Sequence, residues 1–434
     1  MPKGKRKGKF EHRRTEQPSS SDEDAGIDMT NDNCSETSAQ SDLKSNHEEA
    51  ENEIQEKLEE KVLEIIDALN ARANAARAAA FVSLRGALQR RYLAGVLSSQ
   101  RVTLADHLCK ALRRGRDGER KAAAAVAPLL ALQIGEEGTE EFVREVRPAL
   151  AATAVDKSAS LDTRTECCSS LAVLCYLLEE DVTEILEIMR MYETIFSGSY
   201  LKGDGSVKVS GAVVDEGQWH AAALDGWALL LPLLAPRHAA SVLQQHAPSF
   251  AKLAELLEAC SLEVRMAAGG AMAVAYERVT EEGEAEAEAA AAQVAAALPR
   301  LEQLSRDSHK YRAKRDRKLQ RATFRDILKF FEEEEVPSLR VRVGAEAVWC
   351  ESWARAGAYG ALAAALGAGL QALAPHSAPL RAALGLGAAA PPPPAPRRRA
   401  DKLQRHLQNS AACKARTVAR AKNRDKRSAA LAAI

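Results

Sequence analysis

The chain has 434 residues, in which 60 Lys and Arg balance 60 Asp and Glu, 46% are hydrophobic and 4% are aromatic. The hydrophobic share supplies a core and excludes disorder throughout, while apolar content resting on Ala and Leu favours helices over strands. The zero net charge excludes a nucleic-acid partner only if the charges are evenly spread, and they are not. Residues 1–14 carry a net +6, residues 305–329 a net +7 and residues 397–427 a net +10, with a net −14 over 15–70.

No run reaches the roughly 18 uninterrupted apolar residues of a membrane span; the nearest, Ala221 to Leu234, is broken by Asp225 and Pro232. The basic start, with Lys3, Lys5, Arg6, Lys7 and Lys9, is followed by no apolar stretch. It is therefore a nuclear-import candidate and not a secretory signal. The eight cysteines are scattered without paired spacing, which fits a reducing compartment, cytoplasm with a nuclear pool.

In chain order, residues 1–51 are a basic-then-acidic polar tail, expected to be disordered. Within it Ser19, Ser20 and Ser21 precede Asp22, Glu23 and Asp24, a candidate phosphorylation site for an acid-directed kinase, the alternative being a solvated tail that is never modified. Ile54, Leu58, Val62, Ile65, Ile66 and Leu69 then follow helical spacing. Breaks marked by Ser, Gly and Pro separate further helices over about 101–114, 118–134, 140–154, 161–178, 181–196, 218–234, 240–259, 262–279 and 286–304. No strand is expected.

These helices repeat. Arg77, Arg120, Arg164 and Arg265 each precede a small-residue pair and an apolar run, and His220 takes the equivalent place in a further copy. The spacings are 43, 44, 56 and 45, the long one containing a Gly-rich insertion between Gly198 and Gly217. A period near 44 predicts an all-α armadillo/HEAT-like helical solenoid over 52–335, with each Arg in a ladder near a turn. One further step reaches Lys310. There Lys310, Arg312, Lys314, Arg315, Arg317, Lys318 and Arg321 form a basic patch on the next inner helix. That helix runs on through Phe324, Ile327, Leu328 and Phe331 and stops at Glu332–Glu335 and Pro337. Residues 336–390, which hold Trp349, Trp353 and Ala/Gly/Leu helix material, are expected to cap the array. A Pro/Arg linker over 391–399 leads to a basic RNA-binding helix over 400–434.

Catalytic motifs are absent: there is no phosphate-cradling Gly loop, nucleophile elbow or His/Glu metal helix. Cys167, Cys168 and Cys175 have no His or Cys neighbour beyond themselves and are expected as buried packing; Trp219 and His220 are expected in the repeat core. No enzyme activity, cofactor, metal or small-molecule substrate is anticipated. The C-terminal segment carries Lys402, Arg405, Lys414, Arg416, Arg420, Lys422, Arg424, Lys426 and Arg427. From Lys414 on, helical phase spreads these charges around the whole circumference, leaving no face to dock on the solenoid. A polyanion would order such a rod, by sequence-tolerant and salt-sensitive contacts. Few aromatics adjoin either basic patch, which favours duplex or folded RNA over stacked single strands.

Ser21-Asp-Glu-Asp-Ala25, Arg101-Val-Thr-Leu-Ala-Asp106, Ile195 to Lys202, His309 to Leu328 and Asn409 to Arg427 resemble the interferon-related developmental regulator family over nearly the whole chain. The chain is nearer the second of that family's two vertebrate paralogues, and departs from the usual pattern over about 354–396. The resemblance implies an armadillo-like fold, no catalysis and association with translationally inactive ribosomes. The expected function is thus a monomeric translational repressor or dormancy factor that binds rRNA and ribosomal proteins and blocks mRNA and tRNA sites. The resemblance also implies an alternative, a nuclear scaffold recruiting histone-deacetylase corepressors.

Overall fold

The computed structural model describes residues 55–134, 136–245, 248–307, 314–344 and 346–387, without the side chains of 136 and 137. The chain winds through helix pairs: α1 (55–68), α2 (Asn74–Leu88), α3 (Ala94–Leu97), α4 (Arg101–Arg114), α5 (Asp117–Ala131), α6 (Glu136–Val155), α7 (Leu161–Leu178) and α8 (Val182–Phe196). The expected insertion holds the short helix α9 (Gly211–Asp215), and after it come α10 (Gly217–Leu230), α11 (Pro236–Gln245), α12 (Phe250–Leu256) and α13 (Leu262–Thr280). The array closes with α14 (Glu284–Ala295), α15 (Leu298–Arg306) and α16 (Lys314–Glu333).

Helices α2, α5, α7, α10, α13 and α16 pack successively into an inner row. The first turns of α2, α5, α7, α10 and α13 hold Arg77, Arg120, Arg164, His220 and Arg265, so the period of about 44 is the step from one inner helix to the next. The Arg ladder has a definite task. The last carbonyls of a helix lack intrahelical partners; Arg120 and Arg164 meet those of α4 and α6, while Arg77 and Arg265 reach carbonyls in the turns that follow α1 and α12. Arg77 Nη1 donates to Ala71 O at 2.8 Å, Arg120 Nη2 to Arg113 O at 3.3 Å, Arg164 Nε to Ala154 O at 3.3 Å and Arg265 Nη1 to Ala259 O at 2.6 Å. Arg77 also forks onto the buried carboxylate of Glu119, at 2.6 and 2.8 Å, linking one repeat to the next. Small residues let inner helices approach closely: a Cβ on Gly226 of α10 would stand 3.1 Å from Ala172 Cβ of α7, and 2.9 Å from the Tyr192 ring of α8.

Two expected helices are each divided. The stretch 240–259 breaks into α11 and α12, with Pro248 and the cap Ser249 between them, and 286–304 breaks before Pro299 in the first turn of α15. Proline cannot continue the helix preceding it but is preorganised for the first turn of the next.

Beyond α16 the structure corrects two expectations. A strand pair is present: β1 (Leu339–Val343) and β2 (Glu346–Cys350) form an antiparallel hairpin with Val341 opposite Val348 and Arg340 opposite Trp349. Its signal is the alternation Leu-Arg-Val-Arg-Val, of period two. The expected cap lies elsewhere too. Helix α17 (Trp353–Leu366) runs along the inner row, against α13, α10, α7 and α5, instead of covering the end of the array. Helices α18 (Gly369–Leu373) and α19 (Ala378–Ala383) follow, and His376 between them stacks on Tyr92 at 5.1 Å.

Both ends of α17 are held by solenoid side chains. Glu277 of α13 accepts from Trp353 N and Ala354 N at 2.9 and 2.8 Å. At the other end Arg85 Nη2 donates to Ala365 O at 3.3 Å and Gln89 Nε2 to Leu366 O at 3.0 Å. A carboxylate at the helix start and a guanidinium at its end both match the helix dipole. Among the described residues no helix is long and apolar enough to cross a membrane.

Candidate nucleic-acid interface

Helix α16 has two faces. Gln320, Phe324, Ile327, Leu328 and Phe330 are buried, and the helix packs on α13 and α15. The fit is close at Gly269 of α13, where a Cβ would stand 2.7 Å from Ile327 Cδ1. Gln320 Nε2 donates to Leu304 O at 3.2 Å and fixes α16 to the last turn of α15. At 3.6 residues per turn the opposite face carries Lys314, Lys318, Arg321 and Arg325, a stripe about 16 Å long at 1.5 Å per residue.

Lys314, Arg315, Lys318 and Arg325 are exposed. None of them forms an ion pair among the described residues, whereas Lys329, one turn beyond Arg325, is tied to Glu335 at 2.9 Å. Arg317 and Arg321 are half-buried. Arg321 Nε donates to Arg317 O at 3.2 Å, and Arg317 Nε is out of solvent with no acceptor among the described residues. The stripe therefore gains Arg325, which the sequence reading left out of the patch, and depends less on Arg317. The i+11 spacing from Lys314 was the signal for Arg325.

Lys310 and Arg312 of the same patch lie outside the described residues, as do the C-terminal candidates from Lys402 to Arg427, the import candidates from Lys3 to Lys9, and Ser19, Ser20 and Ser21. The body of the protein nevertheless anchors the approach to the C-terminal segment. Arg381 of α19 pairs bidentately with Glu346 of β2 at 2.8 and 2.9 Å, and its Nε donates to Gly387 O at 2.8 Å. Such a fork is geometrically specific, and it ties the hairpin to the last described residue.

The residues expected to be structural are so. Cys167, Cys168 and Cys175 are fully buried, and burial raises all three thiols, Cys168 to about 12. They stay protonated and pack as small apolar groups. His220 is buried with Nδ1 2.8 Å from Ser199 Oγ, and burial, assisted by the positive charges of Arg164 and Lys208, lowers it to about 4. Beside it Trp219 Nε1 donates to Ala154 O at 3.2 Å while the Arg164 guanidinium lies 3.4 Å over the indole. Among the described residues no group of three or more His, Cys, Asp or Glu could hold a metal ion. A cavity of about 310 Å³ between α1, α2, α4 and α5 is lined by Arg77, His107, Lys110, Arg114 and Glu119. Two of its cations are already paired, Arg77 with Glu119 and Lys110 with Asp106.

Two family models match the chain. One, described as interferon-related developmental regulator, covers residues 32–332 and so ends with α16. The other, described as interferon-related protein conserved region, covers 379–428, from α19 through the basic C-terminal candidates. The hairpin and α17 fall between them. Among curated relatives, mouse interferon-related developmental regulator 2 is 35% identical over 83% of this chain and 81% of its own length. Mouse interferon-related developmental regulator 1 is 34% identical over 84% and 80%, and the human protein of that name 32% over 84% and 79%. These relatives are named as regulators and not as enzymes. With a helical solenoid, a family model ending on its last inner helix and this similarity to both regulators, the chain belongs to the interferon-related developmental regulator family.

Proposed function

We propose that this protein is a ribosome-associated translational repressor, holding rRNA with the exposed stripe of α16 and entering an RNA-walled channel with its basic C-terminal segment. The observation that carries this reading is the stripe itself. Lys314, Lys318 and Arg325 stand on a folded helix with no ion pair among the described residues, and desolvating them is favourable only against an anion. A mobile import peptide needs no such fixed surface. The C-terminal segment adds charge on all sides, which suits enclosure by phosphates better than a single groove. Occupying the space of mRNA or tRNA would silence a ribosome without chemistry. The protein would act in the cytoplasm, with Lys3, Lys5, Arg6, Lys7 and Lys9 maintaining a nuclear pool.

Charge reversal tests the stripe. The combined variant Lys314→Glu, Lys318→Glu and Arg325→Glu should weaken binding to purified ribosomes at least tenfold. It should also flatten the dependence of log affinity on log salt by about two to three units, roughly one per lost phosphate contact. Thermal unfolding should be nearly unchanged, because the three side chains are exposed and unpaired. Equal affinity and an equal salt slope in wild type and variant would remove α16 from the interface.

A further inference from the structure

The β1–β2 hairpin has two unlike faces. Directly opposite residues on paired strands share a face, so Arg340, Arg342, Ala347 and Trp349 lie on one side and Val341, Val343 and Val348 on the other. The second side is the packed one, with Val343 and Val348 buried. On the first side Arg340 and Arg342 are exposed, and Trp349 is 47% exposed, the one tryptophan among the large exposed hydrophobic residues. The Arg340 guanidinium stacks 5.0 Å from the Trp349 ring centroid, which orients the indole. Arg342 Nε reaches back to Gly344 O at 3.3 Å.

The ribbon is also held rigidly. Gln371 of α18 accepts from Gly344 N at 3.0 Å and donates to Arg342 O at 2.9 Å. On the other strand the Arg381 fork grips Glu346 and, through Nε, the Gly387 carbonyl at 2.8 Å. Trp349 is three residues along β2 from Glu346, about 10 Å at 3.3 Å per residue. The aromatic platform therefore stands close to where the chain departs toward its most basic segment.

We propose that this face of the hairpin is a single-stranded RNA site, with Trp349 stacking an unpaired base and Arg340 and Arg342 meeting the flanking phosphates. An indole stacks on any base and supplies sequence-tolerant affinity, while arginines beside it follow the backbone. A protein partner would be expected to cover a wider apolar surface; on this face the large exposed apolar group is the Trp349 ring, with two arginines on the neighbouring strand, while the exposed Leu339 pairs with Cys350 on the other face. The inference rests on the RNA-binding reading and refines it. The basic stripe and tail grip phosphates in any RNA, whereas the hairpin distinguishes unpaired nucleotides from duplex.

The test uses the full chain, a short fluorescein-labelled oligoadenylate and an RNA duplex of the same length, with affinities from fluorescence anisotropy. Trp349→Ala should weaken oligoadenylate at least fivefold and leave duplex within twofold, and Trp349→Phe should restore most of the loss. Because the ring is exposed, circular dichroism should show the same helix content in all three proteins. Unchanged oligoadenylate binding by Trp349→Ala, or equal losses for both RNAs, overturns the proposal. If the α16 charge-reversal variant still weakens both RNAs in that case, the broader RNA-binding reading stands without the hairpin. If wild type binds neither RNA, both readings fall.

Discussion

At the scale of single residues, titratable side chains buried between the helices hold the fold. His220 is the clearest case: buried and 2.8 Å from Ser199, it has no room for the solvation a charged imidazole needs. Its affinity for a proton is lowered from the ordinary 6.5 to about 4. In the unfolded chain it takes up a proton near 6.5; in the folded protein it resists until about 4, so stability is full above 6.5 and falls as pH drops through this window. The loss attributable to this group is about 3 kcal/mol. In His220→Gln that component should vanish, so the stability gap between wild type and variant, measured by urea unfolding, should narrow from pH 7 to pH 4. A gap constant with pH would mean that His220 titrates normally. The sequence marked His220 as a repeat-core residue because it stands in the ladder position, but its Ser199 partner was hidden in the insertion.

At the scale of elements, what repeats was legible and what departs from the repeat was not. The bounds expected for 101–114 and 161–178 coincide with α4 and α7, because apolar spacing and capping are local signals. The cap Ser160, accepting from Thr163 N at 3.2 Å, is such a signal. The stripe of α16 followed from one more step of the period. The place of α17 could not follow, since an Ala/Gly-rich helix fits many surfaces and its docking is decided by residues far away in sequence. Glu277, 76 residues before Trp353, is the example. Its burial raises the carboxyl above the usual range, opposed by the two backbone N–H groups it receives. Glu277→Ala should therefore release the start of α17. Hydrogen exchange over 353–366 should accelerate about tenfold, on the order of 1–2 kcal/mol for the lost charged hydrogen bonds, with α7 unaffected. Unchanged protection in α17 would show that Ala358, Leu362 and Leu366 hold it without the tether.

At the scale of the molecule, charge is a matter of placement. The opposing totals cancel, yet the folded part presents at one end of its inner row a cationic stripe with no ion pair among the described residues, and Arg381 ties Gly387 to a hairpin carrying arginines. The acidic N-terminal region would discourage RNA elsewhere by like-charge repulsion. Family membership agrees with the solenoid, and both basic regions lie inside the matched spans 32–332 and 379–428. Whether those regions act together on a ribosome is the central claim. Its most direct measurement is co-sedimentation of the full chain, and of the chain cut after Pro396, with purified ribosomes across a salt series. The account predicts binding that weakens steeply with salt, and a truncated chain bound at least tenfold more weakly with a shallower slope, because up to twelve Lys and Arg are removed. Equal sedimentation of the two chains, or binding indifferent to salt, would contradict it.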